Sequence, residues 1–301
     1  MFADLSTEVA GLRLENPLML ASGILDENGY SMLRVLRSGA SAAVTKSIGE
    51  EERNGYRPPV VHPLQSGMLN AIGLANPGIE EYGHEIEIAR RAGKPIIGSI
   101  FAPDEAGFSR LAERMQSFGV SAIELNLSCP HVKGVGSEVG SDPVLVKRVV
   151  QAVKSVSSVP VFAKLSPNVT DLVEIARAAS DADGLVLINT VRAMAVDIRA
   201  RRPVLSNGFG GLSGPSIKPV GIRCVYEVRK AMDIPIVGVG GISGFEDVVE
   251  YIMVGSDAVQ IGTALWRNGP GIFSSILCEL EKFMEEEGYR GIGEMKGVAL
   301  Q

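Results

Sequence analysis

The sequence has few cysteines, and they form no recognisable pair. Among its 301 residues there are three, at positions 129, 224 and 278. Three widely separated cysteines exclude a disulfide framework, and without a CxxC spacing they exclude the common zinc and redox motifs. The three histidines are scattered and form no HExxH motif. We therefore expect a chain without a metal site, from a reducing compartment.

Long apolar runs and basic clusters are also missing. No apolar run reaches the roughly 18–20 residues that a membrane-spanning helix needs, and the opening MFADLSTEVA does not have the pattern of a signal peptide. The net charge is −6, with 29 Lys and Arg against 35 Asp and Glu. The sequence thus predicts a soluble, cytoplasmic protein that binds neither nucleic acid nor membrane.

Short apolar runs, bounded by Gly, Pro or Asp, recur along the chain. Runs without polar alternation are typical of strands that are buried on both faces. They occupy residues 17–22, 42–47, 95–100, 122–127, 160–165, 184–190, 234–241 and 257–264. Between most of them lie stretches with apolar residues at helical spacing, such as PVLVKRVVQAVKSV and FEDVVEYIMVG.

This alternation predicts a (β/α)8 TIM barrel. A doubly wound open sheet is the alternative, and the count of eight favours closure. Two long connections, 48–78 and 191–216, are rich in Gly, Pro and Asn, and we predict that they are insertions over the C-terminal face of the barrel. Since no linker divides the chain, we expect a single domain over residues 1–301.

Polar residues gather where the predicted strands end, which is where a barrel builds its active site. Each Asn or Ser alone has the simpler explanation of a helix cap, but a lysine that ends a buried strand needs an anion or an electron-rich ring. The strand-end residues are Ser22, Gly23, Lys46, Ser47, Ser99, Asn126, Ser128, Cys129, Lys164, Asn189, Thr190, Gly240, Gly241, Gly262 and Thr263.

The glycines after the last two strands indicate a phosphate site. GVGGISG (238–244) and GTA (262–264) follow strands seven and eight, the usual phosphate position in barrels. Ser243 stands where a dinucleotide fingerprint has its third glycine, and there is no P-loop. A mononucleotide fits better, and with a lysine to face its ring we predict flavin mononucleotide (FMN).

Cys129 lies in ELNLSCPHVKG (124–134), one residue before a proline, and opens a glycine-rich loop. A structural cysteine would lie on a periodic apolar face, as Cys224 and Cys278 do in helical patterns, where we predict core positions. Cys129 is therefore the candidate for a chemically active side chain.

These motifs resemble the dihydroorotate dehydrogenase family, in particular its NAD-linked class 1B. The longest matching stretches are SGMLNAIGLANPG, AIELNLSCP, VFAKLSPNVTD and GGLSGPSIKPV, and all matches together span residues 16–264. The resemblance implies an FMN-containing barrel that oxidises (S)-dihydroorotate to orotate in de novo pyrimidine synthesis. Membrane-associated members carry serine in place of Cys129, which argues against quinone as the direct oxidant.

The resemblance also assigns roles to residues. Cys129 matches the catalytic base. Substrate contacts match Lys46, Asn70, Ala71, Ile72, Gly73, Leu74, Asn126, Asn189 and Thr190. FMN contacts match Ser22, Lys46, Ser47, Asn126, Lys164, Ile188, Gly214, Gly240, Gly241, Gly262 and Thr263. Family members often have Asn at the positions of Ser99 and His131, and the sequence leaves the roles of these two residues open.

Class 1B also implies a partner. In that class an electron-transfer subunit with FAD and a [2Fe-2S] cluster passes electrons to NAD, within a heterotetramer of two catalytic and two electron-transfer subunits. This chain has no cysteine cluster of its own for such a centre. Class 1A enzymes, which reduce fumarate, and dihydrouracil-type flavin dehydrogenases are alternatives. A tRNA dihydrouridine synthase is opposed by the acidic charge, and a non-catalytic flavin barrel leaves Cys129 unexplained.

Overall fold

The computed structural model describes residues 3–127 and 139–300. Its strands, in chain order, are β1 (Thr7–Val9), β2 (Leu12–Leu14), β3 (Leu18–Leu20), β4 (Ala42–Val44), β5 (Val61–Leu64), β6 (Gly67–Asn70), β7 (Ile96–Ile100), β8 (Ala122–Asn126), β9 (Val161–Leu165), β10 (Gly184–Leu187), β11 (Val191–Ala193), β12 (Val196–Asp197), β13 (Arg202–Pro203), β14 (Gly210–Ser213), β15 (Ile236–Val239) and β16 (Ala258–Ile261).

The helices follow most of the barrel strands. They are α1 (Gly29–Arg37), α2 (Ile79–Arg90), α3 (Glu105–Ser117), α4 (Pro143–Val156), α5 (Leu172–Ala178), α6 (Lys218–Ala231), α7 (Phe245–Met253), α8 (Ala264–Asn268), α9 (Ile272–Glu287) and α10 (Ile292–Met295). Side-chain caps begin four of them: Asn28, Asp104, Asp142 and Asp171 each accept a hydrogen bond from a backbone N–H in the first turn. Such caps satisfy amide groups that have no partner within the helix.

The eight predicted strands close into a parallel barrel. Its order is β3-β4-β7-β8-β9-β10-β15-β16, with β16 paired back to β3. Each lies within its predicted apolar run, so the prediction of a (β/α)8 barrel is confirmed and the open sheet is excluded. The strands are buried on both faces, since side chains alternate between the barrel interior and the surrounding helices.

The barrel interior has an apolar lower part. Residues such as Met19, Val44, Phe162 and Val186 pack there as one buried cluster. The β1–β2 hairpin covers the N-terminal end, where Val9 belongs to the same cluster. Closing this end leaves the C-terminal end as the accessible mouth.

The two long connections form a second, antiparallel sheet. The first contributes β5 and β6, the second β11 and β14, and the order is β11-β14-β6-β5. Gly211 of β14 pairs with Asn70 of β6 across 141 positions of sequence. These strands are at most four residues long, which explains why the sequence shows only irregular connections. The sheet contributes to the cavity at the barrel mouth, as the prediction of insertions over this face requires.

Cys224 and Cys278 have different environments. Cys224 is fully buried in α6, as predicted, whereas Cys278 is exposed on α9. The prediction of a core position for Cys278 is wrong because α9 buries the face that carries Ile276 and Leu280. A residue two positions after Ile276 points about 200° away from it.

Within the described ranges, no helix is both long and apolar enough to cross a membrane.

Candidate active site

A cavity of about 280 Å³ lies at the C-terminal ends of the barrel strands. Barrel strands and the loops after them supply one wall, and the added sheet supplies the other. The barrel side contributes Ala21–Ile24, Lys46, Ser47, Asn126, Lys164, Ile188, Asn189, Thr190, Val239–Ile242, Gly262 and Thr263; the other side contributes Val61, Met68, Asn70, Ile72–Ala75, Ser213, Gly214 and Ile217.

The structure brings nearly all predicted site residues together around this cavity. Ala71 and Ser99 are the exceptions among those described, because both are buried and neither lines the cavity. Ser128, Cys129 and His131 lie outside the described residues. The assigned roles stay predictions, but the proximity of residues from ten different segments of chain follows from the barrel topology.

Lys164 is the buried cation of this site. It is the penultimate residue of β9 and lines the cavity, with its Nζ 3.2 Å from Glu124 Oε1 and 3.4 Å from Gln260 Oε1. Burial of an ammonium requires such acceptors. Lys46, which follows β4, has its Nζ 3.7 Å from Glu27 Oε1 and also lines the cavity.

A chain of hydroxyls connects three strands behind the cavity wall. Asn126 Nδ2 donates to Ser47 Oγ at 2.9 Å, and Ser47 Oγ lies 2.9 Å from Ser99 Oγ. Ser99 is fully buried and does not line the cavity. Its hydroxyl therefore acts on the cavity through Ser47 and Asn126, whose side chains it helps to orient.

The Asn189–Thr190 segment is held by Asn168. Asn168 Nδ2 donates to Thr190 O at 2.9 Å, and its Oδ1 accepts from Arg192 N at 2.8 Å. Two opposed hydrogen bonds from one amide fix the path of the chain as it leaves β10. Asn70 is fixed similarly, since its Nδ2 donates to Gly211 O at 3.2 Å.

Glycine turns form the part of the cavity at the C-terminal ends of β15 and β16. Gly240 and Gly241 have φ of +126° and +76°, in the region that side chains disfavour. A Cβ on Gly241 would lie 2.6 Å from Lys218 Cβ. The turn is therefore restricted to glycine, and its backbone faces the cavity directly.

Asp26 is a buried acid behind the Gly23 edge of the cavity, and nothing in the loop sequence SGILDENG indicates its burial. Its Oδ2 accepts from Gly23 N, and its carbonyl accepts from Tyr82 Oη. Its Oδ1 is buried with no hydrogen-bond partner among the described residues. Burial raises the pKa of Asp26 to about 6, which the Gly23 N–H and the nearby Lys46 only partly offset.

Asp26→Asn is expected to stabilise the protein at neutral pH. Because the pKa of Asp26 is higher in the folded chain than its ordinary 3.8, the unfolded chain loses this proton first as the pH rises. The wild type therefore loses stability between about pH 4 and 6, relative to the variant, by about 2–3 kcal/mol in total. Urea unfolding at acidic and neutral pH measures this difference.

Asp104→Asn is the matched control, since Asp104 is an exposed cap on α3 and asparagine caps equally well. A stability gain in Asp26→Asn that is equal at both pH values would contradict the assignment of a raised pKa.

Comparison with known proteins identifies the family. A profile described as dihydroorotate dehydrogenase matches residues 4–284. The chain belongs to the dihydroorotate dehydrogenase family.

Relatives within this family match along almost the whole chain. The chain is 62% identical over 299 residues to the "Dihydroorotate dehydrogenase B (NAD(+)), catalytic subunit" of Thermoplasma acidophilum, covering 99% of this chain and 100% of that protein. The protein of the same name from Thermoplasma volcanium is 59% identical, with 99% of each chain covered. That from Methanocaldococcus jannaschii is 48% identical, with 98% of each covered.

Dihydroorotate dehydrogenases are flavin-dependent oxidoreductases, and the cavity residues fit such a group. Ile72, Ile188 and Val239 offer apolar wall to a ring system, and the glycine turns leave room for close backbone approach to a phosphate. Lys164 supplies a buried positive charge. Within residues 3–127 and 139–300, no cluster of three or more His, Cys, Asp or Glu is arranged to hold a metal.

Sequence reasoning missed nine members of this site, all of them apolar except Ser213. Ala21, Ile24, Val61, Met68, Ala75, Ser213, Ile217, Val239 and Ile242 also line the cavity. Most carry no chemical signature, so their proximity to predicted residues was the only available signal.

Proposed function

We propose that this chain oxidises (S)-dihydroorotate to orotate, the flavin-dependent step of de novo pyrimidine synthesis. The observation that carries the proposal is one cavity in which Lys46, three asparagines and the buried Lys164 face the same space. The relatives that match the full chain bear the name of this activity. We also propose that residues 1–301 act as one domain.

FMN is the flavin that this site suits best. The glycines at 240, 241 and 262, with Thr263, would hold its phosphate through backbone N–H groups, as mononucleotide sites in barrels do. Ser22, Ser47, Ile188 and Gly214 would contact the rest of the molecule. Neither glycine motif is a dinucleotide fingerprint, which favours FMN over FAD in this chain.

The asparagines suit a pyrimidine ring. The side-chain amides of Asn70, Asn126 and Asn189 contain both donor and acceptor groups, and the capacity that remains beside their hydrogen bonds within the protein matches the amide groups of the ring without adding charge. Thr190 lies beside Asn189 in the cavity wall. Lys46 and the backbone of residues 70–74 would face the carboxylate of the substrate, and Ile72, Gly73 and Leu74 form that wall.

The oxidation removes a proton from C5 and a hydride from C6. FMN, when bound, accepts the hydride at N5. We assign the C5 proton to the Cys129 thiolate, because the sequence places this nucleophilic side chain directly after β8, three residues from Asn126. A free thiol has a pKa of about 8.5, so the reactive thiolate form becomes more abundant as the pH rises. Lys164 would stabilise the negative charge that the reduced flavin gains.

A partner subunit completes the proposal. The relatives are named catalytic subunits of an NAD(+)-linked enzyme. We infer a partner with FAD and a [2Fe-2S] cluster that passes electrons to NAD, in a heterotetramer of two catalytic and two electron-transfer subunits. Three cysteines in the whole chain are too few for the four ligands of such a cluster, so the partner must supply it. We place the assembly in the cytoplasm.

The substrate is tested by comparing dihydroorotate with dihydrouracil, which lacks the carboxylate. We expect the bound flavin to lose its colour with dihydroorotate and to react far more slowly with dihydrouracil. Lys46→Met should reduce the rate with dihydroorotate more than that with dihydrouracil, since the lysine faces the missing group. Equal rates with both substrates would favour a dihydrouracil-type enzyme.

The electron acceptor is tested separately. The chain, reduced by dihydroorotate, should pass electrons to NAD only when the partner subunit is added. Rapid reoxidation by fumarate, with the isolated chain, would instead indicate a class 1A enzyme.

A further inference from the structure

Three polar side chains form a closed triangle inside the barrel, directly under the cavity. Glu124 and Gln260 are each 1% exposed and Lys164 is 6% exposed. Lys164 Nζ donates to both of the others, and Gln260 Nε2 donates to Glu124 Oε2 at 2.8 Å. Both carboxylate oxygens of Glu124 are thereby used, one by the lysine and one by the amide.

The triangle lies on an apolar layer, and among the described residues Glu124 forms an ion pair with Lys164 alone. Phe162 and Ala122, one step down β9 and β8, belong to the apolar interior. The neighbouring strand β10 presents Val186 there. Other charged groups described around this mouth include Lys46, which pairs with Glu27, and Asp26, which lies near Lys46. Lys218, beside the Gly241 turn, pairs with Asp247 and Glu250. A buried carboxylate that loses its partner cation is left as an uncompensated charge, so Glu124 and Lys164 depend on each other.

We propose that Glu124, held by Gln260, is a positioning residue that fixes Lys164 in the cavity floor and keeps it an ammonium in both oxidation states of the flavin. This inference rests on the proposed function, because it requires a flavin in the cavity. Lys164 then faces the flavin ring with a constant positive charge. The carboxylate of Glu124 balances this charge from inside the barrel and does not line the cavity.

The consequence concerns the number of protons that the protein and its flavin take up together when the flavin is reduced. The flavin takes two electrons and one proton, and gains negative charge. With Glu124 in place, Lys164 holds its proton before and after reduction. The midpoint potential of the flavin therefore falls with the same slope per pH unit over the whole range. In Glu124→Gln the ammonium loses its counter-charge in a desolvated site, and a buried amine without a counter-charge favours its neutral form. Where Lys164 is neutral beside the oxidised flavin, reduction takes up a second proton, on Lys164, and the slope becomes steeper.

The test is the midpoint potential of the bound flavin against pH, measured by equilibration with dyes of known potential. Glu124→Gln should show a steeper alkaline slope that the wild type lacks. At lower pH, where Lys164 is charged, loss of the carboxylate should favour the reduced flavin about tenfold, which is about 30 mV for two electrons. Glu124→Asp keeps the charge and should restore the single slope.

Asp257→Asn is the matched control. Like Glu124→Gln, it removes a buried carboxylate, in this case one paired with Arg229 and Lys296. Asp257 lies directly before β16, at the end of the strand away from the cavity. The flavin potential of this variant should equal that of the wild type at every pH, whatever its stability.

A flavin-loaded Glu124→Gln protein with the potential and slope of the wild type would overturn the inference. If this variant does not fold, Gln260→Met takes its place, since it removes one acceptor from Lys164 but keeps the charge of Glu124. In Gln260→Met the steeper slope should begin at a higher pH than in Glu124→Gln. A dependence of the midpoint potential on pH equal to that of the wild type would count against the inference. A wild type that binds no flavin would overturn the proposed function instead, and this inference with it.

Discussion

Replacing Cys129 with alanine is expected to slow reduction of the bound flavin by dihydroorotate by about 10²–10⁴-fold, the usual contribution of a positioned general base. The variant should remain yellow, because most of the residues that would hold FMN lie on other segments of the chain. Anaerobic rapid mixing with dihydroorotate measures the rate directly. In the wild type the same rate should rise towards alkaline pH, as the thiolate form becomes more abundant.

Cys278→Ala is the control for this variant, since Cys278 is exposed on α9 and lies outside the cavity wall. Its rate should equal that of the wild type. If the flavin of Cys129→Ala were reduced as fast as that of the wild type, another group would have to take the C5 proton. A wild-type rate that does not change across the alkaline range would lead to the same conclusion.

Gly241→Ala is expected to weaken flavin binding and also to destabilise the fold. The left-handed backbone at φ +76° costs a side chain about 1–2 kcal/mol. The new Cβ would also lie 2.6 Å from Lys218 Cβ and 2.7 Å from Lys218 N, so the turn must move away from the start of α6. We expect the free energy of unfolding to fall by more than about 2 kcal/mol, and the purified protein to contain little flavin. Urea unfolding and the visible spectrum measure the two effects.

Gly93→Ala separates strain from contact in this experiment. Gly93 has a similar φ of +71°, but a Cβ there meets no atom within 4 Å. The Gly93→Ala variant should be destabilised only by the backbone strain, and it should keep its flavin. If Gly241→Ala retained flavin and stability like the wild type, the turn would not be the close-fitting cradle that we infer.

Much of the fold was predictable because a parallel barrel has a simple sequence pattern. Strands such as β9 and β10 are buried on both faces and read as apolar runs between helices. The added sheet was not predictable in the same way. Its strands are short, and β6 pairs with β14, which lies about 140 residues later, so neither shows its partner in local sequence.

The site was predictable to the extent that its residues end strands. Lys46, Asn126 and Asn189 are polar residues at such positions, and the topology brings them together. Glu124 and Asp26 were hidden for different reasons. Glu124 lies within the apolar run of β8, where one polar residue directed into the barrel does not alter the pattern. Asp26 lies in a polar turn, where nothing local reveals that packing buries its carboxylate completely.

The most direct test of the central claim is an anaerobic titration of the purified chain with dihydroorotate, followed by the visible spectrum of its flavin. The account predicts FMN in the protein, loss of its colour with each addition, and one orotate formed for each flavin reduced. A flavin that stays oxidised in excess dihydroorotate, while dithionite reduces it, would contradict the account.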